Sequence, residues 1–137
     1  MNRNIASQQY QKVSLDSALA HATPHQQVLM LMNGALTSIA TAKGAIERSD
    51  AELRGTSISK AISIVGGLQA SLADTENNEI AQNLDNLYIY IADILLKANL
   101  DASEEKLNEA TTLLLEIKSA WEQIPAEHHN TQSPVDK

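Results

Sequence analysis

Hydrophobic residues recur at alternating three- and four-residue intervals through most of this chain, which is the period of a helix with one buried face. The first such stretch runs from about 24 to 48. Its inward-facing positions are Val28, Met32, Ala35, Ile39, Ala42 and Ile46. At its start, Thr23 and Gln26 fit a capping box, and Pro24 suits the first helical position. These signals predict a helix that begins at the Thr-Pro pair and ends near Arg48.

Three further stretches show the same period and are separated by short polar connections. We predict helices over about 51–73, 78–98 and 103–124. Asp101 and Glu104 have the spacing of a second capping box, which would begin the last helix. Four helices of about 20 residues, each roughly 30 Å long, predict an all-α fold, an antiparallel up-down-up-down four-helix bundle.

The inward faces of these three helices are expected to pack into one core. The second helix carries two apolar seams, Ala61, Ile64 and Leu68 on one side and Ile58, Ile62, Val65 and Leu72 on the other. On the third helix the predicted buried stripe is Ile80, Leu84, Leu87, Ile91, Ile94 and Ala98. On the fourth helix it is Leu107, Ala110, Leu114, Ile117, Trp121 and Ile124.

Gly66 and Gly67 interrupt the second predicted helix. A glycine in the interior of a helix costs about 1 kcal/mol relative to alanine. Two interpretations of the pair remain open, close packing against another backbone and a hinge.

Two segments flank the predicted bundle at 23–125. Residues 1–22 contain apolar side chains at irregular spacing, and we expect this segment to pack on the bundle while remaining partly mobile. Residues 126–137 are polar and aperiodic, and we expect them to form a disordered tail. The length of the chain suits a single domain of this kind.

Composition narrows the classes of function. The chain has a formal net charge of −7 and no basic block that would neutralise phosphates, so nucleic acid is not an expected partner. It contains no cysteine, which excludes thiol chemistry, and no phenylalanine, which predicts an aliphatic core. The start of the sequence lacks the apolar run of a secretory signal, and no stretch approaches the roughly 18 apolar residues of a membrane span. We therefore expect a cytoplasmic protein without stable membrane insertion.

The positions of the four histidines do not favour a metal site or a phosphotransfer site. His21 and His25 flank the start of the first helix, and His128 and His129 fall in the tail, so the usual i, i+4 ligand pair is missing. The Glu-x-x-His motifs of a di-metal bundle are also missing. A phosphotransfer bundle would require a solvated histidine, and His25 is the one candidate. Since no phosphate loop or nucleophile set is found, we expect no enzyme activity, no catalytic residue, no metal and no cofactor.

More apolar side chains are present than the inward stripes contain. Leu29, Leu31 and Leu36 stand off the stripe of the first helix, and similar positions recur on the second and third helices. Covering each such side chain would contribute about 1.5 to 3 kcal/mol. Either the core of the bundle absorbs them, or a partner peptide lies in a surface groove. The groove-lining candidates are Tyr10, Ile58, Ile62, Val65, Tyr88 and Leu95.

Five segments carry a resemblance to a known family. They are YQKV at 10–13, ATPHQQVLMLMNGAL at 22–36, KAISIVGGLQASL at 60–72, EIAQNLDNLYIYI at 79–91 and IKSAWEQIP at 117–125. In order and spacing they resemble the flagellar secretion chaperone family FliS. The most specific pieces are the Thr-Pro helix start with its Met-Leu-x-x-Gly-Ala-Leu run and the stretch of the third helix around its two tyrosines.

The resemblance implies a cytoplasmic helical bundle without enzyme activity that binds the disordered C-terminal segment of flagellin in apolar surface grooves. Such a protein would prevent premature polymerisation of flagellin and aid its delivery to the flagellar export gate protein. The segment around Tyr10 would cover part of that surface while no client is bound, with Tyr10 as a structural anchor or a direct client contact. Asn33 and Asp93 depart from the family pattern, and both bear on client preference.

A second hypothesis uses the same surfaces without flagellin. Two copies of the chain would pair through their apolar faces to form a homodimeric helical adaptor. The sequence leaves monomer and homodimer open, and sedimentation at micromolar concentration would separate them.

Overall fold

Four α-helices make up most of the chain that the structure describes. The computed structural model describes residues 21–72 and 75–124. The helices are α1 at Pro24–Glu47, α2 at Ala51–Ala70, α3 at Glu79–Asp101 and α4 at Glu104–Glu122. Each helix packs against the next, and α4 packs back against α1, which confirms the predicted all-α four-helix bundle. Segment 1–20, which includes Tyr10, and the tail 126–137 lie outside the described residues.

The start of α1 has the predicted capping box. The Thr23 hydroxyl accepts a hydrogen bond from the Gln26 backbone N–H at 3.1 Å, and the Gln26 side-chain oxygen accepts one from the Thr23 N–H at 2.9 Å. Pro24 occupies the first turn, where it has no backbone N–H that would need a partner. A cap of this kind contributes about 1 kcal/mol to stability.

The second predicted capping box is wrong. Asp101 is the last residue of α3, which continues three residues beyond the predicted end. Ala102 then adopts a left-handed conformation with φ of 50°, and Ser103 caps α4 by accepting a hydrogen bond from the Lys106 backbone N–H at 3.1 Å. The Asp101 carboxylate instead binds the Lys106 ammonium group at 2.6 Å. Asp101 therefore ties the two helices together across the turn.

The inward faces of α1 and α4 are those predicted. On α1 the buried members of the stripe are Val28, Met32, Ala35, Ile39 and Ala42. On α4 they are Leu107, Ala110, Leu114, Ile117 and Trp121. The last position of each stripe, Ile46 on α1 and Ile124 beyond α4, is only half-buried because it lies at an end of the bundle.

The buried stripe of α2 combines members of the two predicted seams. Its fully buried apolar side chains are Ile58, Ala61, Val65 and Leu68. Ile62 and Ile64 lie on the two flanks of this stripe and are half-buried against the core. A helix inside a bundle touches neighbours on both sides, so its buried face is wider than one seam.

The buried stripe of α3 is rotated from the predicted one over its first half. The buried side chains are Ala81, Tyr88, Ile91, Ile94, Leu95 and Ala98. Ile80 and Leu87 were predicted to face inward, but they are 64% and 36% exposed. The prediction was wrong at these positions because small Ala81, not bulky Ile80, faces the core at the start of the helix. From Ile91 onward the predicted and observed stripes agree.

The two glycines of α2 do not mark a close helix contact. A Cβ atom built on Gly66 or Gly67 would meet nothing within 4 Å, so the close-packing interpretation is wrong for the described structure. The helix runs without a break through both residues, and the hinge interpretation stays a prediction. The glycine that does face a neighbour is Gly34 of α1, whose built Cβ lies 3.4 Å from Cδ1 of Ile64.

Candidate partner-binding surface

Four of the six predicted groove-lining residues lie in the core of the bundle. Ile58, Val65, Tyr88 and Leu95 have no exposed surface, so they do not line an open groove as the sequence predicted. The physical reason is that α2 and α3 each bury a wide face between two neighbours. Ile62 is half-buried at the edge of the core, and Tyr10 lies outside the described residues. Contact of any of the six with a partner stays a prediction.

The core also takes up part of the apolar surplus of α1. Leu29, Leu31 and Leu36 are half-buried and pack against the core cluster. These three side chains therefore need no partner to cover most of their surface. On α1 the core of the bundle absorbs the apolar surplus.

Most of the apolar surface that remains uncovered lies on α3. Among the described residues, six of the seven large hydrophobic side chains that are exposed belong to this helix, and the seventh is Leu115 of α4. Those on α3 are Ile80, Leu87, Ile89, Tyr90, Leu96 and Leu100. The surplus is thus concentrated on one helix and not spread evenly over the bundle.

Three of these side chains form what we call the outer stripe, which consists of Ile89, Leu96 and Leu100. They are 50%, 51% and 76% exposed. Their spacing of seven and four residues places them on one face of the helix, because seven residues complete almost two turns. This face points away from the buried stripe, and its apolar side chains span residues 89–100 with Asp93 beside them.

The outer stripe borders the groove between α2 and α3. At the end of the bundle near Leu100, Nε of Arg54 on α2 donates a hydrogen bond to Oδ1 of Asn99 on α3 at 3.1 Å, which shows that Asn99 faces α2. Leu96 lies one turn before Asn99 on the same helix. Ile62 stands on the α3 flank of α2, since it is about 200° around the helix from Ile64, which faces α1. Leu96 and Ile62 thus stand at the two edges of one groove.

The other flank of α3 faces α4 and is also partly apolar. The Tyr90 hydroxyl donates a hydrogen bond to Oε2 of Glu109 on α4 at 2.9 Å, and this bond raises the pKa of Tyr90 above its ordinary value. Ile80 and Leu87 lie near this side of the helix, toward its N-terminus. Uncovered apolar side chains therefore border both grooves that α3 forms with its neighbours.

The charges beside the outer stripe balance each other. Nζ of Lys97 lies 2.9 Å from a carboxylate oxygen of Asp93, one turn earlier, and this ion pair raises the pKa of Lys97. Asp93 is the position where the resemblance would favour a basic residue. Its charge is locally neutralised, so apolar contact dominates what this face offers to a partner.

His25 does not have the exposure that phosphotransfer requires. Its ring is stacked on that of Trp121 with centroids 5.0 Å apart and an angle of 12°, and the residue is 7% exposed. Nε1 of Trp121 donates a hydrogen bond to the backbone oxygen of His25 at 3.1 Å. The two residues join the first turn of α1 to the last turn of α4, which is a structural arrangement.

The described part of the chain contains neither a metal-binding cluster nor a membrane-spanning helix. Among residues 21–72 and 75–124, no three or more His, Cys, Asp or Glu side chains are grouped so that they could hold a metal ion. Over the same residues, no helix combines the length and the apolar character that crossing a membrane requires.

The outer stripe was missed at the sequence level because the phase of α3 was set by Ile80. Ala81, Tyr88 and Leu95 form a buried seven-residue repeat. Ile89 and Leu96 each follow a member of this repeat by one position, and their side chains face outward. The available signal was the pair of adjacent apolar residues at 88–89 and again at 95–96. One member of each pair must face outward on a helix.

The fold and this surface define a class, a four-helix bundle whose uncovered apolar side chains are gathered on one helix. Comparison with known proteins then identifies the family. The family model described as Flagellar protein FliS matches residues 6–128. The chain therefore belongs to the FliS family, as its motifs indicated.

Relatives with the same description come from several bacteria. The flagellar secretion chaperone FliSB of Pseudomonas aeruginosa is 42% identical over 87% of this chain and 94% of its own length. The flagellar secretion chaperone FliS of Vibrio cholerae is 38% identical over 90% of both chains. That of Salmonella typhimurium is 40% identical over 84% of this chain and 86% of its own. All three names describe chaperones of flagellar secretion.

Proposed function

We propose that this protein is a cytoplasmic export chaperone that binds the disordered C-terminal segment of flagellin. It prevents premature polymerisation of that segment and aids its delivery to the flagellar export apparatus, and it carries out no enzymatic reaction. Membership of the FliS family and the names of the relatives support the general role. The observation that carries the binding mode is the outer stripe, Ile89, Leu96 and Leu100, which the bundle leaves uncovered.

The proposed binding mode is apolar and distributed. A client helix would lay its own apolar positions along the outer stripe and the groove edge at Ile62. Since the stripe residues are 50% to 76% exposed, covering them would contribute on the order of 1 kcal/mol each. That amount is too small for tight binding after the cost of ordering the client. The client must therefore also use the apolar side chains near Leu87 on the other flank of α3.

The distribution of the exposed side chains favours a flexible client over a second copy of the bundle. Most of them lie on the two flanks of α3, so one flat surface cannot cover them together. A standard interface between folded proteins buries about 800 Å² on each side, far more than the outer stripe offers. A disordered segment can follow a curved path over several small patches. A disordered client therefore fits this surface better than the second copy that a homodimeric adaptor would require.

Holding the client would suppress its assembly by simple mass action. A flagellin terminus that is bound to the chaperone is removed from the pool that can self-associate, and the free energy of assembly rises by the free energy of binding. The client orders as it binds, so its affinity per unit area is modest. Modest affinity also allows release at the export apparatus.

Calorimetry with a synthetic C-terminal peptide of the flagellin from the same organism tests the proposal. We expect binding with a negative heat-capacity change and a gain of helix by circular dichroism. Leu96→Asp should lower the affinity at least about tenfold. The matched control is Leu115→Asp on α4, because Leu115 is exposed to nearly the same extent, 47% against 51%. Absence of binding tighter than about millimolar would reject the proposed client, and a micromolar dimer in sedimentation would favour the adaptor.

A further inference from the structure

A second groove, on the other side of α2, has a different chemical character. It lies between α1 and α2 and encloses a cavity of about 240 Å³. Its lining consists of hydroxyl side chains and one lysine, namely Thr37, Ser38, Thr41, Thr56, Ser57 and Lys60. We call it the hydroxyl groove. No acidic side chain is among the described residues that line it.

Two of its hydroxyl groups are already used within the helices. Oγ1 of Thr41 donates to the backbone oxygen of Thr37 at 3.1 Å, and Oγ1 of Thr56 donates to the backbone oxygen of Leu53 at 3.2 Å. Bonds of this type satisfy a threonine locally and leave no hydrogen for a ligand. These two threonines therefore shape the groove and are not its donors.

The two serines are different. Ser38 is 6% exposed and Ser57 is 7% exposed, and both line the cavity. Neither hydroxyl has a hydrogen-bond partner among residues 21–72 and 75–124. Both hydroxyls reach the groove, since neither is among the enclosed polar atoms that lack a partner, and a ligand that accepts from both can replace the water that solvates them.

The available donors match a carboxylate. The two serine hydroxyls and the Lys60 ammonium group provide hydrogens, and a carboxylate accepts from several donors through its two oxygens. A single lysine balances a single negative charge, whereas a phosphate dianion would remain partly uncompensated in a chain of net charge −7. The cavity is also smaller than the roughly 300 to 1,000 Å³ of sites for larger ligands.

We infer that the hydroxyl groove binds the free carboxyl terminus of the client segment through Ser38, Ser57 and Lys60. The inference rests on the proposed function, since a C-terminal client segment ends in a carboxylate. It extends that function by assigning the terminal group to a polar groove, separate from the apolar surface of α3. Binding of the chain terminus in this way fixes the register of an apolar segment that could otherwise bind in several registers.

The surface between the two grooves permits such a path. The exposed positions of α2 from 56 to 70 carry small side chains or none, and Lys60 is the one long side chain among them. No described residue lies within 4 Å of a Cβ atom built on Gly66 or Gly67. A client chain that leaves the outer stripe can therefore cross α2 close to its backbone and reach the hydroxyl groove.

The test compares two flagellin C-terminal peptides, one with a free carboxyl terminus and one with an amidated terminus, by calorimetry on the full chain. We expect amidation to weaken binding to the unmodified protein about tenfold, because a charge-assisted hydrogen-bonded contact is lost. Lys60→Met should bind both peptides equally, at the level of the amidated one. Ser57→Ala should lose part of the difference without a lower melting temperature. The matched control Lys118→Met on α4 should keep the full difference.

The possible failures separate the two proposals. If both peptides bind the unmodified protein equally well, the hydroxyl groove does not hold the terminus and the proposed function stands. If Lys60→Met weakens both peptides alike, a side-chain carboxylate of the client is the ligand and the inference is wrong. If neither peptide binds, the proposed client and this inference fail together.

Discussion

The inner and outer faces of α3 assign opposite roles to residues that are neighbours in the sequence. Tyr88 and Leu95 are fully buried between the helices, while Ile89 and Leu96, each one position later, are about half exposed. A step of one residue turns a helix by 100°, so adjacent apolar side chains cannot share one neighbour. The difference separates what holds the bundle together from what it can offer to another polypeptide. Substitutions on the two faces should therefore change different measurements.

The largest expected effect comes from shortening Leu95. We expect Leu95→Ala to lower the free energy of unfolding by about 2 to 5 kcal/mol, because it leaves a cavity in the core. Leu96→Ala should change it by no more than about 0.5 kcal/mol, since this side chain is already half in water. Urea denaturation measures both values. Equal losses from the two variants would show that the faces are not separated as the structure indicates.

Ile62 lies between these extremes, at the edge of the core beside the α2–α3 groove. We expect Ile62→Asp to lower the free energy of unfolding by about 1 to 3 kcal/mol and to abolish client binding while the helical circular dichroism is retained. The control is Ile64→Asp, which is also half-buried but on the α1 flank of the same helix. Measured with the amidated client peptide, which does not need the hydroxyl groove beside Ile64, this variant should be as destabilising and should leave binding intact. Global unfolding of Ile62→Asp would show that this side chain belongs to the core.

How much of this could be predicted from the sequence differs from helix to helix. The stripe of α1 and its Thr23 cap follow from local signals, and so does the stripe of α4 that ends at Trp121. On α3 two stripes that differ by one residue fit the periodicity almost equally well, and only tertiary packing selects Ala81 over Ile80. An amphipathic pattern gives the period of a helix more reliably than its rotation.

The candidate surface was harder to predict than the fold for the same reason. The sequence shows an apolar surplus, but not which surplus side chains remain uncovered. Ile58 and Tyr88 were expected at the surface and are in the core. The hydroxyl groove has no sequence signal, since Ser38 and Ser57 are 19 positions apart and meet only because α1 and α2 pack together.

A smaller effect, of opposite sign on the two faces, is expected from removing tyrosine hydroxyls. The Tyr88 hydroxyl is buried without a hydrogen-bond partner among the described residues, and burial raises the pKa of Tyr88 above its ordinary value. Tyr88→Phe should therefore leave stability unchanged or raise it by up to about 1 kcal/mol. Tyr90→Phe removes the solvent-exposed bond to Glu109 and should lower stability only slightly. Thermal unfolding measures both, and a clear loss from Tyr88→Phe would show that this hydroxyl is satisfied, for example by a buried water.

A similarly small effect is expected at Gly66, on the exposed face of α2. A Cβ added there meets none of residues 21–72 and 75–124 within 4 Å, so Gly66→Ala should raise the free energy of unfolding by about 0.5 to 1 kcal/mol through helix propensity alone. The same variant tests the remaining explanation of the glycine pair. If the pair acts as a hinge, the stiffer helix should bind the client peptide more weakly although the protein is more stable. If the glycine pair only leaves this face of α2 without side chains so that the client chain can cross it, Gly66→Ala should bind the client peptide normally. The bulkier Gly66→Leu should then bind it more weakly. A loss of stability in Gly66→Ala would contradict both accounts, because it would mean that this position is not open in the folded protein.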